Sequence, residues 1–179
     1  MTLYPEMFFS NWHWITVVLI AIAWIALLAG GYEKRVVLRS GIGAMVLLYV
    51  ITTIPIATIT YQEKSIDSWM REQIVHHYEE KMQRIGGSAR EIDRLAAAAG
   101  SFQTKDGDYK IYVYAGNYTD TSRFDGRLSV QIYDEQGQEL DERTYEDVHL
   151  EPGEVQQIGI FYSSSGFKTY NYRFEPQNK

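Results

Sequence analysis

The sequence contains no cysteine. That excludes disulfides, thiol catalysis and cysteine-ligated zinc. Lys and Arg are absent from the first eleven residues, where Glu6 is the only charged side chain. Charge is also scarce from Trp12 to Thr60, with four charged residues all lying between Glu33 and Arg39. After Tyr61 the long apolar runs disappear. Nor is there a phosphate loop, a dinucleotide fingerprint or a Ser-His-Asp order with a nucleophile elbow. The chain is therefore expected not to be an enzyme, with no catalytic residue, no cofactor and no metal. Positive charge is in deficit beyond Lys105, where seven Lys/Arg face fourteen Asp/Glu. An acidic segment of this kind repels phosphate backbones and argues against a nucleic-acid partner. The stretch from Gln62 to Lys105 is balanced, with seven of each sign.

The sequence does contain two uncharged apolar runs, Trp12 to Gly30 and Gly41 to Thr60. At helical rise the first covers about 28 Å, close to the roughly 30 Å hydrocarbon core of a bilayer. Backbones in lipid must satisfy their own hydrogen bonds, so the expectation for residues 1–61 is a transmembrane helical hairpin with spans near 12–30 and 41–60. A cleaved signal peptide fits poorly, because it needs a basic n-region and a shorter core. Trp12 and Trp14 suit the headgroup level of a permanent span. The loop 31–40 holds Lys34, Arg35 and Arg39, whereas the N-terminal flank holds no basic residue. The positive-inside rule thus places the loop in the cytoplasm and both termini outside, in a multi-pass protein of the plasma membrane.

Ala21, Ala23, Ala26, Ala29 and Gly30 offer small surfaces for helix packing, as do Gly41, Gly43 and Ala44. Pro55 should kink the second helix, with Thr52 or Thr53 bonding the freed carbonyl. No ionisable residue lies at mid-membrane depth, as a transporter or proton relay would require, so the hairpin reads as an anchor.

Residues 62–105 read as a helical linker. Ile66, Trp69, Met70, Ile74, Tyr78, Met82 and Ile85 recur at helical spacing. This stripe could lie on the outer leaflet, pack on the domain that follows, or pair with a second copy in a homo-oligomer. A capping-box pattern, Ser88-Ala-Arg-Glu91, opens a second helix carrying Ile92 and Leu95 to Ala99 and stopped by Gly100. His76 and Glu80 share a helix face, but the H-E-x-x-H spacing of helical zinc hydrolases is absent, and a solvated helix face is the reading.

From residue 106 the period changes to two. Tyr109, Ile111, Val113 and Ala115 alternate with polar and aromatic residues, as do Leu128, Val130 and Ile132. Turn signals at Asp134–Gly137 and Glu151–Glu154, then runs at Val155–Tyr162 and Phe167–Phe174, indicate a small antiparallel β-sandwich over 106–179. His149 is expected at a surface or interface, and Asn117-Tyr-Thr119 matches a glycosylation acceptor relevant only to a eukaryotic secretory pathway.

Val130-Gln-Ile132-Tyr133-Asp134 resembles the F-x-L-Y-D signature of FxLYD-type immunoglobulin-like domains, with Val and Ile in place of Phe and Leu. Gly116-Asn117, Gly137 and Leu150-Glu-Pro152-Gly153 resemble that family's strand ends and turns. The resemblance spans Tyr109 to Phe174 and implies an immunoglobulin-like fold on an exported or membrane-tethered bacterial protein. It implies no catalytic residue. In the physical reading Tyr133 lays its ring on the sheet and Asp134 starts a turn by accepting local N–H groups.

Nine of the fourteen tyrosines fall in this domain. Tyr112, Tyr114 and Tyr133 occupy the face opposite the aliphatic one, and Tyr170 and Tyr172 share a face of the last strand. They form either an aromatic recognition surface for protein or glycan, or a cross-strand ladder packed under the connecting helix. The expected partners are the lipid bilayer and envelope proteins. The expected role is a membrane-anchored extracytoplasmic binding or accessory module. The alternative is a structural subunit of a membrane complex, contacting partners through the hairpin. A signal transducer is disfavoured, since a loop of some ten residues holds no output domain.

Overall fold

An uncharged helix must bury its polar backbone internally, and the two apolar runs do so as helices. The computed structural model describes residues 4–8, 10–86 and 89–177. The chain divides into two compact units, Met1–Ile66 and Asp67–Lys179.

In the first unit α1 covers His13–Ala29, and the start of α2 (Lys34–Ile85) returns beside it. Thr16 hydrogen-bonds Thr52 at 2.7 Å, while the Trp24 ring fills the space a Cβ on Gly41 would need. Contacts running 16 to 24 against 52 to 41 make the pair antiparallel. Gly43, in contrast, faces open space. Of the described helices, α2 is long and apolar enough to cross a membrane; α1 has seventeen residues and is shorter. Ile25 and Ile54 are 64% and 61% exposed on the outer surface of this unit.

Three expectations change here. The second helix begins at Lys34, so Lys34, Arg35 and Arg39 lie in its first turns rather than in a ten-residue loop. It also runs on without a break into the expected amphipathic segment, giving one helix of 52 residues. Finally, the Thr52 hydroxyl donates to the Leu48 carbonyl at 2.8 Å, not to the Ile51 carbonyl that Pro55 leaves free.

In the second unit six strands form two antiparallel sheets. These are β1 (Leu95–Gln103), β2 (Tyr109–Asn117), β3 (Phe124–Tyr133), β4 (Glu139–Leu150), β5 (Val155–Ser163) and β6 (Thr169–Pro176). One sheet has the order β1-β2-β5 and the other β4-β3-β6. Period-two alternation explains the core. Ile111, Val113 and Ala115 from one sheet meet Leu128, Val130 and Ile132 from the other, with Leu95, Ala97 and Phe174 also in the cluster. Asp134 accepts the backbone N–H groups of Gln136 and Gln138 at 2.9 and 2.8 Å, and Gly137 completes the turn at φ 78°. Each sheet also carries a bulge. The β2–β5 register shifts between Val113 and Tyr114, and the β3–β4 register between Gly126 and Leu128, where Asp147 takes φ 55°.

Leu95 to Ala99 is a strand and not the expected helix, so the all-β region starts at residue 95; ahead of it the long helix ends at Ile85 and Glu91–Arg94 form a single 3-10 turn. Ser88, the start of the expected capping box, lies outside the described residues. Alanine favours helix by a few tenths of a kcal/mol. Tertiary packing overrides that preference. Leu95, Ala97 and Ala99 face the core between the sheets. Ala96, Ala98 and Gly100 face the other way, where Ala96 and Ala98 are buried and Met70 and Trp69 close over Gly100. A strand covered closely on both sides needs small side chains.

Leu128 is fully buried in this core. Leu128→Ala should therefore lower the unfolding free energy by about 2–5 kcal/mol in a denaturant titration. Gly126→Ala would place a Cβ 2.2 Å from the Glu175 carbonyl oxygen and should cost about 1–3 kcal/mol in the same titration.

Candidate functional site

The amphipathic stripe of α2 decides where the tyrosines go. Within the second unit, Met70 and Ile74 are fully buried against the first sheet. A Cβ on Gly100 would lie 2.5 Å from the Met70 sulfur, and one on Gly116 would lie 3.3 Å from Ile74 Cδ1. The stripe thus packs on the β domain, the second of the three roles open to it. Its polar rim is tied down as well. Tyr114 donates to Asp67 Oδ1 at 2.9 Å, Arg71 pairs with Asp67 at 2.9 Å, and Arg71 Nη1 donates to the Val155 carbonyl at 2.6 Å. Farther along, the Tyr78 and Tyr118 rings stack 4.0 Å apart.

The five tyrosines separate into three environments. Tyr112 and Tyr114 do lie opposite the aliphatic face, but α2 covers that face and both are buried. Burial first, then the Asp67 hydrogen bond and charge, push the Tyr114 hydroxyl well above the usual phenol range. Tyr133 sits half-exposed on the outer face of the second sheet, its hydroxyl donating to Gln131 Oε1 at 3.1 Å. Tyr170 and Tyr172 point inward with Phe174 and pack on the core, beside the open edge of β1.

Around Tyr170 and Tyr172 the structure builds a cleft of about 570 Å³. Its α2 wall contributes His77, Glu80, Lys81 and Arg84, and its β6 wall contributes Lys168 and Asn171. His77 Nδ1 hydrogen-bonds the Tyr170 hydroxyl. Burial lowers the His77 pKa, with Glu80 opposing and His76 assisting, while burial raises that of Tyr170. Both partners are therefore neutral near pH 7. Lys81 donates to the Leu95 carbonyl at 3.0 Å, occupying an acceptor on the free edge of β1. Burial pulls the Lys81 ammonium below its ordinary range, against the pull of Asp93. Glu80 turns to His76, 3.5 Å away on an exposed face.

Sequence reasoning named the tyrosines of this cleft but not its cations. The available signal was spacing. His77, Lys81 and Arg84 are four and three apart and share a helix face. Lys168 immediately precedes β6, with its backbone N–H donating to the Tyr133 carbonyl at 2.7 Å.

Asn117 has a structural task. It is fully buried, its Nδ2 donates to the Ser122 and Leu150 carbonyls, and its Oδ1 accepts from the Thr119 N–H and hydroxyl. The amide is enclosed and fully used, so the sequon describes a corner of the fold and not a glycan acceptor. His149 pairs with Asp125 at 2.5 Å on the surface, and this hydrogen bond lowers the Asp125 pKa. Among the described residues, no group of three or more His, Asp or Glu converges as a metal site would require. No protein-family model, curated protein or solved structure matches the chain.

Two outcomes follow from this geometry. Asn117→Ala strands buried donors and acceptors and should cost about 2–3 kcal/mol of stability by calorimetry or denaturant titration. His77 has a folded pKa below its unfolded value of about 6.5. Its contribution is therefore complete above pH 6.5 and is lost as the pH falls through the folded pKa. Denaturant titrations between pH 7.5 and 5.5 should show His77→Gln flattening the decline of stability with acidification.

Proposed function

We propose that the chain is a membrane-anchored binding or accessory module of the cell envelope, which holds its β domain outside the cytoplasm and works through contacts rather than catalysis. The observation that carries this reading is the apolar outer surface of the helical unit. Residues such as Ile25, Val46 and Ile54 are more than half exposed along it, and only lipid or other apolar helices can cover such a surface. In this proposal α1 and the first part of α2 both span, with Lys34, Arg35 and Arg39 at the cytoplasmic end and both termini outside.

The β domain is read as immunoglobulin-like and of FxLYD type. The pairing order β1-β2-β5 against β4-β3-β6 supports this, being the order of strands A, B and E facing C′, C and F in such sandwiches. So does the placement of Val130 and Ile132 in the core with Tyr133 outward and Asp134 in the turn.

The reading as a structural subunit draws on one feature of the helical unit. A groove of about 500 Å³ lined by Trp12, Ile15, Ile51, Pro55, Ile56 and Ile59 has the apolar character a neighbouring helix would need.

Because the chain has no cysteine, a single introduced thiol reports its own side of the membrane. Ser165 is exposed, and Ser165→Cys should react with an impermeant maleimide in intact cells while Glu33→Cys should not. The reverse pattern would overturn the location. In-cell crosslinking should capture the same partners after residues 1–61 are exchanged for an unrelated hairpin. Loss of those partners would instead favour the structural-subunit reading.

A further inference from the structure

We propose that the cleft between α2 and β6 binds a phosphate group, with Lys81, Arg84 and Lys168 as its anion-contacting side chains. The inference rests on reading the domain as a binding module and names the chemistry that one site takes.

The argument begins with where cations remain unpaired. From residue 67 onward every described arginine except Arg84 lies within 4 Å of a carboxylate. Arg71 has Asp67, Arg94 has Asp120, Arg127 has Glu146 and Glu175, and Arg143 has Asp141; Arg90, Arg123 and Arg173 are paired likewise. From residue 67 onward twenty Asp/Glu face thirteen Lys/Arg, so an arginine left without a carboxylate reflects placement. Among the described residues Arg84 and Lys168 have no ion pair, and both line the same cleft as Lys81. Lys81 is held by the Leu95 carbonyl, 3.0 Å away, with its ammonium 5.8 Å from the Tyr172 ring centroid.

Charge balance identifies the guest. Three cations and one carboxylate, Glu80, leave the cleft at plus two with His77 neutral. A phosphate monoester carries close to two negative charges and several strong acceptor oxygens, which arginine and lysine both serve. Asn171 and Gln73 add uncharged donors to the lining. The acidity of the whole domain does not oppose this. At physiological salt the Debye length is about 8 Å, so the nearest charges govern a single phosphate, whereas a polyanion spanning the surface is repelled.

The test uses the full chain in zwitterionic detergent micelles, titrated calorimetrically with inorganic phosphate and with glycerol phosphate. Saturable binding is expected, weakened at least tenfold in the Arg84→Gln/Lys168→Gln double variant and unchanged in Lys105→Gln, which alters an exposed turn lysine. Circular dichroism melts of each variant separate loss of binding from loss of fold. A second arm compares retention on vesicles of phosphatidylcholine with and without phosphatidic acid. Retention lost in the double variant assigns the phosphate to a lipid, and soluble binding without added retention assigns it to a free ester; either supports the site. Absence of saturable binding, or equal binding by the folded double variant, overturns it. Envelope crosslinks that persist after such a failure would leave the module reading standing.

Discussion

The β domain depends on how closely a helix can approach a sheet. Met70 and Ile74 enter a shallow channel that exists because Ala96, Ala98, Gly100 and Gly116 project almost nothing into it. Each fully buried side chain of that size contributes about 1.5–3 kcal/mol. Close approach also sets everything around the seam. It brings Asp67 to the Tyr114 hydroxyl, lays Tyr78 on Tyr118, and carries Lys81 to the Leu95 carbonyl. The domain is consequently three layers deep, with the first sheet covered on both faces.

That burial governs the electrostatics as well. Phenols under the helix lose water and rise in pKa; Tyr118 is pushed up to about 12, by burial first and then by its neighbours Tyr78 and Glu79. His77 moves the opposite way for the same reason, since desolvation disfavours whichever form is charged. The seam joins charged groups, Asp67 and Lys81, to neutral phenol and carbonyl partners, while most charged pairs are left at the surface, where each is worth little. The cleft beside β6 differs from both, because its Arg84 and Lys168 are exposed and, among the described residues, have no ion pair.

Much of the fold could be read from the amino-acid pattern, and the failures have physical causes. The alternation of Ile111, Val113 and Ala115 with polar and aromatic neighbours, and of Leu128, Val130 and Ile132 likewise, gave β2 and β3 because each strand has one aliphatic face. The Asp134 turn was legible because its hydrogen bonds are local. The strand Leu95–Gln103 was not, since its small residues answer helix residues some thirty positions earlier in the chain, Trp69 and Met70, and two sheets at once. The tyrosines were visible as a group, but their separation into covered, outward and inward sets depends on how β2, β3 and β6 are layered. Arg84 and Lys168 were invisible together, because nothing along the chain relates a helix terminus to a loop eighty-four residues later.

The edge of β1 has a consequence for how copies of the molecule meet. A sheet recruits a further strand through the alternating backbone groups of its outermost member. On β1 the Leu95 carbonyl already holds the Lys81 ammonium, and Tyr170 and Tyr172 stand beside Ala99 and Ala97. The opposite side of the domain is defended by geometry, since the bulges in β4 and β5 throw those edges out of register. Strand exchange, the usual route by which small β domains entangle on a crowded surface, is thereby obstructed on one side by side chains and on the other by twist.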